Sequence, residues 1–119
     1  MMTQISELKI PIEVSQAIDE FVNQIITKDG DRIDSIRLYG SVIKDLYRKG
    51  ESDIDLLIIS KYKKIYDNIL DIEVDVGLKY GVVFSVLLDT PEEVTEILNM
   101  GYPFMREVLE KGRVLYDRN

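Results

Sequence analysis

The chain has 119 residues, of which 45% are hydrophobic, and a formal net charge of −7. It contains neither cysteine nor histidine, which excludes disulfides, thiolate chemistry, most zinc sites and acid–base catalysis by imidazole. The length fits a single domain over residues 1–119, and the acidic balance argues against non-specific binding of nucleic acid.

The first half of the chain alternates between helical and strand patterns. Apolar residues at helical spacing predict an amphipathic helix over residues 12–27. A weakly alternating stretch, 33–39, predicts a strand, the Gly-Ser pair at 40–41 predicts a turn, and residues 42–47 predict a short helix. The apolar run 53–60 predicts a strand that is covered on both faces.

Residues 62–80 carry two competing patterns. Their apolar residues keep helical spacing, yet the stretch 71–78 also alternates acidic and apolar residues like a strand. The length of the segment favours a helix.

The second half of the chain contains clear helix boundaries. Residues 82–88 predict a strand, and Thr90 is a good N-cap for a helix that ends near residue 100. A last helix is predicted over 103–111, and residues 114–116 are extended. Strands separated by helices predict an α/β (α+β) domain with a small mixed sheet of about three strands flanked by helices.

Two acidic side chains at the start of a buried strand suggest the chemistry. Asp53 and Asp55 point to the same side of a strand, where they could share one or two Mg²⁺ ions with the phosphates of a substrate. The preceding strand ends at Gly40 and Ser41, a turn that lets the backbone approach a phosphate while the hydroxyl donates. Lys44 is a further candidate phosphate ligand. Together these residues would hold a metal-bound nucleoside triphosphate.

Each signal has a simpler explanation when it is taken alone. A Gly-Ser pair is usually only a turn, and an Asp-x-Asp sequence is usually a loop or a helix cap. The order of the parts makes the pattern specific: an apolar strand, the Gly-Ser turn, eleven residues, and Asp-x-Asp leading into another apolar strand.

This order resembles the signature of the DNA polymerase β-like nucleotidyltransferase superfamily. The size is similar to its smallest branch, the minimal nucleotidyltransferase (MNT) domain proteins. The sequences of residues 80–85 and 103–116 also resemble that branch, so the likeness covers residues 35–117.

The resemblance implies an activity and a set of ligands. It implies that Gly40 and Ser41 contact nucleotide phosphates and that Asp53 and Asp55 hold Mg²⁺ or Mn²⁺. The reaction would move a nucleoside monophosphate from a nucleoside triphosphate, by preference ATP, to a hydroxyl acceptor. The family also implies a HEPN-type partner protein in a toxin–antitoxin pair, and a homo-oligomer is possible.

One departure from the family concerns the third catalytic carboxylate, which active members carry on the next strand. The matching position on 82–88 is Ser85 or Val83, and neither binds a metal as a carboxylate does. Asp89 lies past the end of that strand. Asp75 or Glu73 could serve only if their segment is a strand and not a helix.

Three readings of the function follow. The first is a metal-dependent nucleotidyltransferase whose acceptor lies on a partner protein. The second is a catalytically degenerate MNT module that neutralises its partner by contact alone. The third is an α/β domain in which Asp53 and Asp55 merely cap a strand. The sequence has no apolar run long enough for a membrane span and no signal-peptide pattern at its N-terminus, so we expect a cytoplasmic protein.

Overall fold

The computed structural model describes residues 8–118. The helices and strands follow in the order α1 (Ile12–Asp29), β1 (Ser35–Tyr39), β2 (Ile54–Ile59), α2 (Tyr66–Tyr80), β3 (Phe84–Asp89), α3 (Pro91–Asn99), α4 (Pro103–Lys111) and β4 (Arg113–Asp117). Short 3₁₀ turns lie at Gly30–Arg32, Gly40–Val42 and Lys63–Ile65. In this part of the chain no helix combines the length and the apolar character that crossing a membrane requires.

The four strands form one mixed sheet in the order β3-β2-β1-β4. β1 is antiparallel to both of its neighbours, and β2 is parallel to β3. The mixed sheet confirms the predicted fold class. It has one strand more than expected, because the extended residues 114–116 belong to β4 and pair with β1.

Helices cover both faces of the sheet because the apolar side chains of β2 alternate. On one face Ile54, Leu56 and Ile58 are buried against α1 and α2. On the other face Leu57 and Ile59 pack against α3 and α4. The site residue Asp55 therefore lies on the α3–α4 side of the sheet.

The structure resolves the ambiguity of residues 62–80 in favour of a helix. In α2, Ile69, Ile72 and Val76 are buried on one side, at the spacing of a helix. The start of α3 is also as predicted. Thr90 Oγ1 accepts a hydrogen bond from the Glu93 amide at 3.1 Å, while the Thr90 amide donates to Glu93 Oε1 at 2.8 Å.

The predicted helix at 42–47 is wrong. The chain makes a single 3₁₀ turn at Gly40–Val42 and then continues as a loop. Asp45 has a left-handed φ of 60°, which interrupts a right-handed helix. The Leu46 amide instead donates to the Ser41 carbonyl oxygen at 3.0 Å, and the Leu46 side chain is exposed. Val42 is buried and Ile43 and Tyr47 are partly buried against the core, so this segment packs its apolar side chains without forming a helix.

Candidate active site

The turn after β1 lies directly against the Asp-x-Asp strand. Tyr39 pairs with Asp55 across β1 and β2, so the residue after Tyr39 meets the Asp55 side chain. Gly40 has φ +78°, and a Cβ at this position would overlap Asp55 Oδ2 and lie 3.1 Å from Asp55 Cγ. Glycine is therefore required twice, for its backbone conformation and for the close approach of the carboxylate.

Asp53 and Asp55 sit at the mouth of β2 in different environments. Asp53 is exposed just before the strand, and Asp55 is half-buried within it. Burial raises the pKa of Asp55, and the negative charge of Asp53 raises it further. This concentration of negative charge suits a divalent cation, and Mg²⁺ typically takes one or two protein carboxylates together with water and phosphate oxygens. The two side chains therefore fit such an ion.

The position beside Asp55 on β3 is occupied by Ser85. In the parallel register Asp55 pairs with Ser85, so both side chains point to the same face. Asp89 lies opposite Ile59, at the far end of the strand. Within residues 8–118 no three His, Cys, Asp or Glu side chains come together as a metal site.

The remaining acidic candidates lie elsewhere. Glu73 and Asp75 belong to α2, so the condition under which they would complete the site does not hold. The core side chains of α2 face Ile54 and Leu56, on the opposite side of the sheet from Asp55.

A cavity of about 320 Å³ opens beside the Gly40 turn, between that turn and α4. Its lining residues are Tyr39, Gly40, Ile43, Lys44, Phe104, Glu107, Val108 and Lys111. The Tyr39 and Phe104 rings meet edge to face, with centroids 5.5 Å apart. Lys44 Nζ lies 3.4 Å from Glu107 Oε1, and both side chains are largely exposed. Lys44 thus lies just after the turn and forms an ion pair with a carboxylate of α4.

The sequence pattern does not identify the α4 residues of this cavity as candidate site residues. Phe104 and Val108 follow the apolar spacing of a helix, which predicts packing and not a site. Val108 is indeed buried, whereas Phe104 remains exposed at the cavity. The exposed aromatic ring is visible only once the fold is known.

Tyr39 links this cavity to the carboxylates. Burial raises the pKa of Tyr39 to about 12, and the negative charges of Asp55 and Asp89 contribute. Its phenol therefore stays neutral next to Asp55.

Comparison with known proteins gives two kinds of match. The family model described as "Polymerase beta, Nucleotidyltransferase" matches residues 20–119. The protein named "Putative protein adenylyltransferase MJ0604" of Methanocaldococcus jannaschii is 41% identical over 101 residues, which cover 85% of this chain and 96% of that relative. "Putative protein adenylyltransferase MJ1305" of the same organism is 30% identical over 115 residues, which cover 89% of this chain and 74% of the relative.

Proposed function

Because the chain belongs to the polymerase β-like nucleotidyltransferase family, we propose that it transfers a nucleoside monophosphate from a nucleoside triphosphate to a hydroxyl group of a partner protein. The observation that carries this proposal is the contact between Gly40 and the Asp55 carboxylate. It brings the two halves of the motif, which lie fifteen residues apart in the sequence, into contact.

The triphosphate would bind on the turn. Gly40 allows the backbone to approach a phosphate, and the Ser41 hydroxyl is a donor. Lys44 would leave Glu107 for the more highly charged triphosphate, since an exposed ion pair contributes only about 0–1 kcal/mol. The neighbouring cavity, with the Phe104 ring at its wall, offers an apolar surface to the nucleoside.

Asp53 and Asp55 would hold Mg²⁺ or Mn²⁺. When bound, such an ion neutralises the triphosphate and polarises the phosphoryl group that is attacked. The contribution of the chain is to fix the two carboxylates: Asp55 within β2 and against Gly40, and Asp53 immediately before the strand.

The reaction forms one bond and breaks one. The acceptor oxygen bonds to the α-phosphorus, the bond between that phosphorus and the bridging α–β oxygen breaks, and pyrophosphate leaves with the electron pair. The proton of the acceptor hydroxyl goes to water, since Ser85 and not a carboxylate lies beside Asp55. General-base catalysis typically contributes about 10²–10⁴-fold, so we expect slow transfer.

The names of the relatives suggest the nature of the acceptor. Both relatives carry the name "Putative protein adenylyltransferase". We therefore propose ATP as the donor and a protein hydroxyl as the acceptor. The resemblance to MNT proteins makes a HEPN-type toxin the first partner to test.

A second candidate function is neutralisation of the partner by contact alone. The observation in its favour is Ser85 at the position beside Asp55. Such a protein would keep the fold, and with it the surface that the partner recognises, without carrying out the transfer.

Thermal unfolding with and without ATP and Mg²⁺ or Mn²⁺ tests the nucleotide site. A ligand that binds only the folded state stabilises it, by about 2.7 kcal/mol at a hundred times its Kd. We expect a metal-dependent rise in Tm for the wild type and for the exposed control Asp67→Asn, and none for Asp53→Asn. If ATP and metal did not raise the Tm of the wild type, the proposal that the protein binds ATP would be refuted.

The Ser85→Asp variant distinguishes nucleotidyl transfer from neutralisation of the partner by contact alone. The new carboxylate would lie beside Asp55 and lower the Kd for Mn²⁺ by about tenfold or more, as measured by electron paramagnetic resonance, while Ser85→Asn would not. Pyrophosphate release from ATP by the wild type, enhanced in Ser85→Asp, supports the enzyme. No release by either protein supports neutralisation by contact.

A further inference from the structure

The solvent-facing side of α2 is apolar. Leu70, Val74 and Leu78 follow one another at four-residue spacing and are 40%, 50% and 80% exposed. They point away from the buried side of the helix, which carries Ile69 and Val76. A helix at the surface of a globular protein normally presents polar residues on this side. We call Leu70, Val74 and Leu78 the α2 outer face.

A row of acidic residues runs along the α2 outer face. Asp67, Asp71 and Asp75 repeat at the same four-residue spacing, and all three are exposed. Each of them precedes one of the three apolar residues of the face by three positions. Within residues 8–118 none of these three carboxylates forms an ion pair. The face thus combines an apolar stripe with a negative stripe whose charge is not neutralised.

The acidic character continues onto α1. A groove of about 1270 Å³ runs between the two helices, with Leu70 and Val74 on its α2 wall and Asp19 on its α1 wall. Glu20 also lines it but is occupied: its Oε1 accepts from Lys79 Nζ and from the Tyr80 hydroxyl, both at 2.8 Å. Asp19 has no such partner among residues 8–118, and burial raises its pKa. Four acidic side chains line the groove, two on each helix, against one basic side chain, Lys28, so the groove carries an excess of negative charge.

The charge of this surface decides between two occupants. A second copy of the chain would bring the same row of aspartates, and a net charge of −7, against its own image, which is unfavourable. A helix with apolar residues on one side and lysine or arginine beside them is complementary in both respects. Amphipathic helices bind grooves in this way through anchors at i, i+3, i+4 and i+7.

The α2 outer face leads to the active-site end of the sheet. After α2 the chain turns into β3 through Val83, whose side chain is 61% exposed. The Val83 carbonyl oxygen accepts from the Ile54 amide at 2.8 Å, and Ile54 lies between Asp53 and Asp55. A depression of about 400 Å³, lined by Leu78 and Val83 among others, connects the helix with this strand end.

We propose that the α2 outer face and the acidic groove beside it bind a basic amphipathic helix of the partner protein. The apolar anchors of that helix cover Leu70, Val74 and Leu78, and its lysine or arginine side chains lie over Asp71 and Asp75. A partner docked in this way extends past Val83 to the Asp53–Asp55 end of β2. Such a partner could present its acceptor hydroxyl at this end of β2, and only this part of the inference rests on the proposed function.

The test uses synthetic 18-residue peptides and isotope-labelled protein without nucleotide or metal. One peptide is a Leu/Lys sequence with its leucines at helical spacing, and the other has the same composition in an order that gives no apolar face. We expect the first peptide to shift amide resonances of α1, α2 and residues 81–84, and the second to bind at least tenfold more weakly. Met100, at the end of α3, is 64% exposed and provides a matched apolar control.

Two kinds of variant report on the two stripes. Val74→Ser combined with Leu78→Ser should weaken binding of the amphipathic peptide at least tenfold at every salt concentration, and Met100→Ser should not change it. Asp71→Asn combined with Asp75→Asn should weaken binding at low salt and reduce its salt dependence. The side chains changed are exposed, so we expect these variants to fold.

Three results would overturn the inference. The first is equal binding of both peptides, and the second is resonance shifts spread over the whole acidic surface. The third is a wild-type dimer that Leu78→Ser dissociates, which would identify a second copy as the occupant. Asp53→Asn should bind the peptide like the wild type, so a failure of the nucleotide proposal leaves this test intact.

Discussion

Replacement of Gly40 by alanine tests the contact that joins the two halves of the motif. Gly40 and Gly101 have nearly the same positive φ, +78° and +82°. An alanine Cβ at Gly101 would meet nothing within 4 Å, whereas at Gly40 it would overlap the Asp55 carboxylate. The pair therefore separates backbone strain from steric collision.

The expected magnitudes follow from these two contributions. A left-handed conformation costs an L-residue about 1–2 kcal/mol, and both variants should lose this amount of unfolding free energy. Gly40→Ala should lose a further ~1–3 kcal/mol, the usual cost of forcing extra atoms into a packed site. Rotation of the carboxylate cannot remove the whole collision, because Asp55 Cβ is itself 3.3 Å from the added atom.

Urea unfolding of the apo protein measures both losses, and Asp55→Ala completes the cycle. In the Asp55→Ala background the carboxylate is absent, so the excess cost of Gly40→Ala over Gly101→Ala should fall by at least half. Equal losses for Gly40→Ala and Gly101→Ala in the wild-type background would refute the contact, and with it the argument that Gly40 positions Asp55.

Three further predictions concern local features of the fold. Thr90→Ala should cost about 1 kcal/mol of unfolding free energy in a urea titration, because it removes the N-cap of α3. The control Thr95→Ala should cost less, because Thr95 makes only an exposed hydrogen bond to the carbonyl oxygen of Pro91, one turn earlier. Ultraviolet titration should show Tyr39 ionising near pH 12, because burial, and after it the charge of Asp55, raises its pKa to about 12. Since the neutral phenol is favoured in the folded state, stability is lost as pH rises from about 10 towards 12. Asp55→Asn should lower the pKa of Tyr39, and an unchanged value would contradict the contribution of the Asp55 charge. Alanine is favoured over glycine in a helix by about 1 kcal/mol, yet Gly77→Ala should destabilise the protein, because the added Cβ would lie 2.8 Å from the Val82 carbonyl oxygen. A rise in Tm would contradict this prediction and show that the oxygen can move.

The elements that the sequence predicted well are those with a strong local signal. α1 follows from apolar spacing, and α3 from the Thr90 cap together with Pro91. In α2 the helical period prevailed over the alternating acidic residues, because the buried positions Ile69, Ile72 and Val76 lie on one side of a helix. Local chemistry decides these elements, so a single sequence is enough to find them.

The parts that the sequence left open depend on contacts between distant residues. The loop after Gly40 is decided by the left-handed Asp45 and by the hydrogen bond from Leu46 to Ser41, neither of which has a periodic signature. The choice between Ser85 and Val83 as the neighbour of Asp55 depends on the register of two parallel strands. The contribution of Phe104 to the cavity depends on how α4 packs against β1. These features require the tertiary structure.

The position of β4 has a consequence for aggregation. β1 is an interior strand only because β4 pairs with it, and that pairing joins Ser35 to Asp117 across most of the chain. Closing such a loop is more costly in entropy than closing the shorter one between β1 and β2, so detachment of β4 is an accessible local opening. It would leave β1 as an uncovered edge that other chains could extend.

Two side-chain hydrogen bonds, in addition to the backbone pairing of the sheet, oppose this opening. The Tyr116 hydroxyl donates to the Gly30 carbonyl oxygen at 2.9 Å, and the Arg118 guanidinium bonds to Asp34 Oδ1 at 2.7 Å. Both tie the last strand to the segment that follows α1. Deleting or mutating Tyr116 and Arg118 would thus leave the sequence of the Gly40–Ser41 turn unchanged and should still promote aggregation of the protein at high concentration.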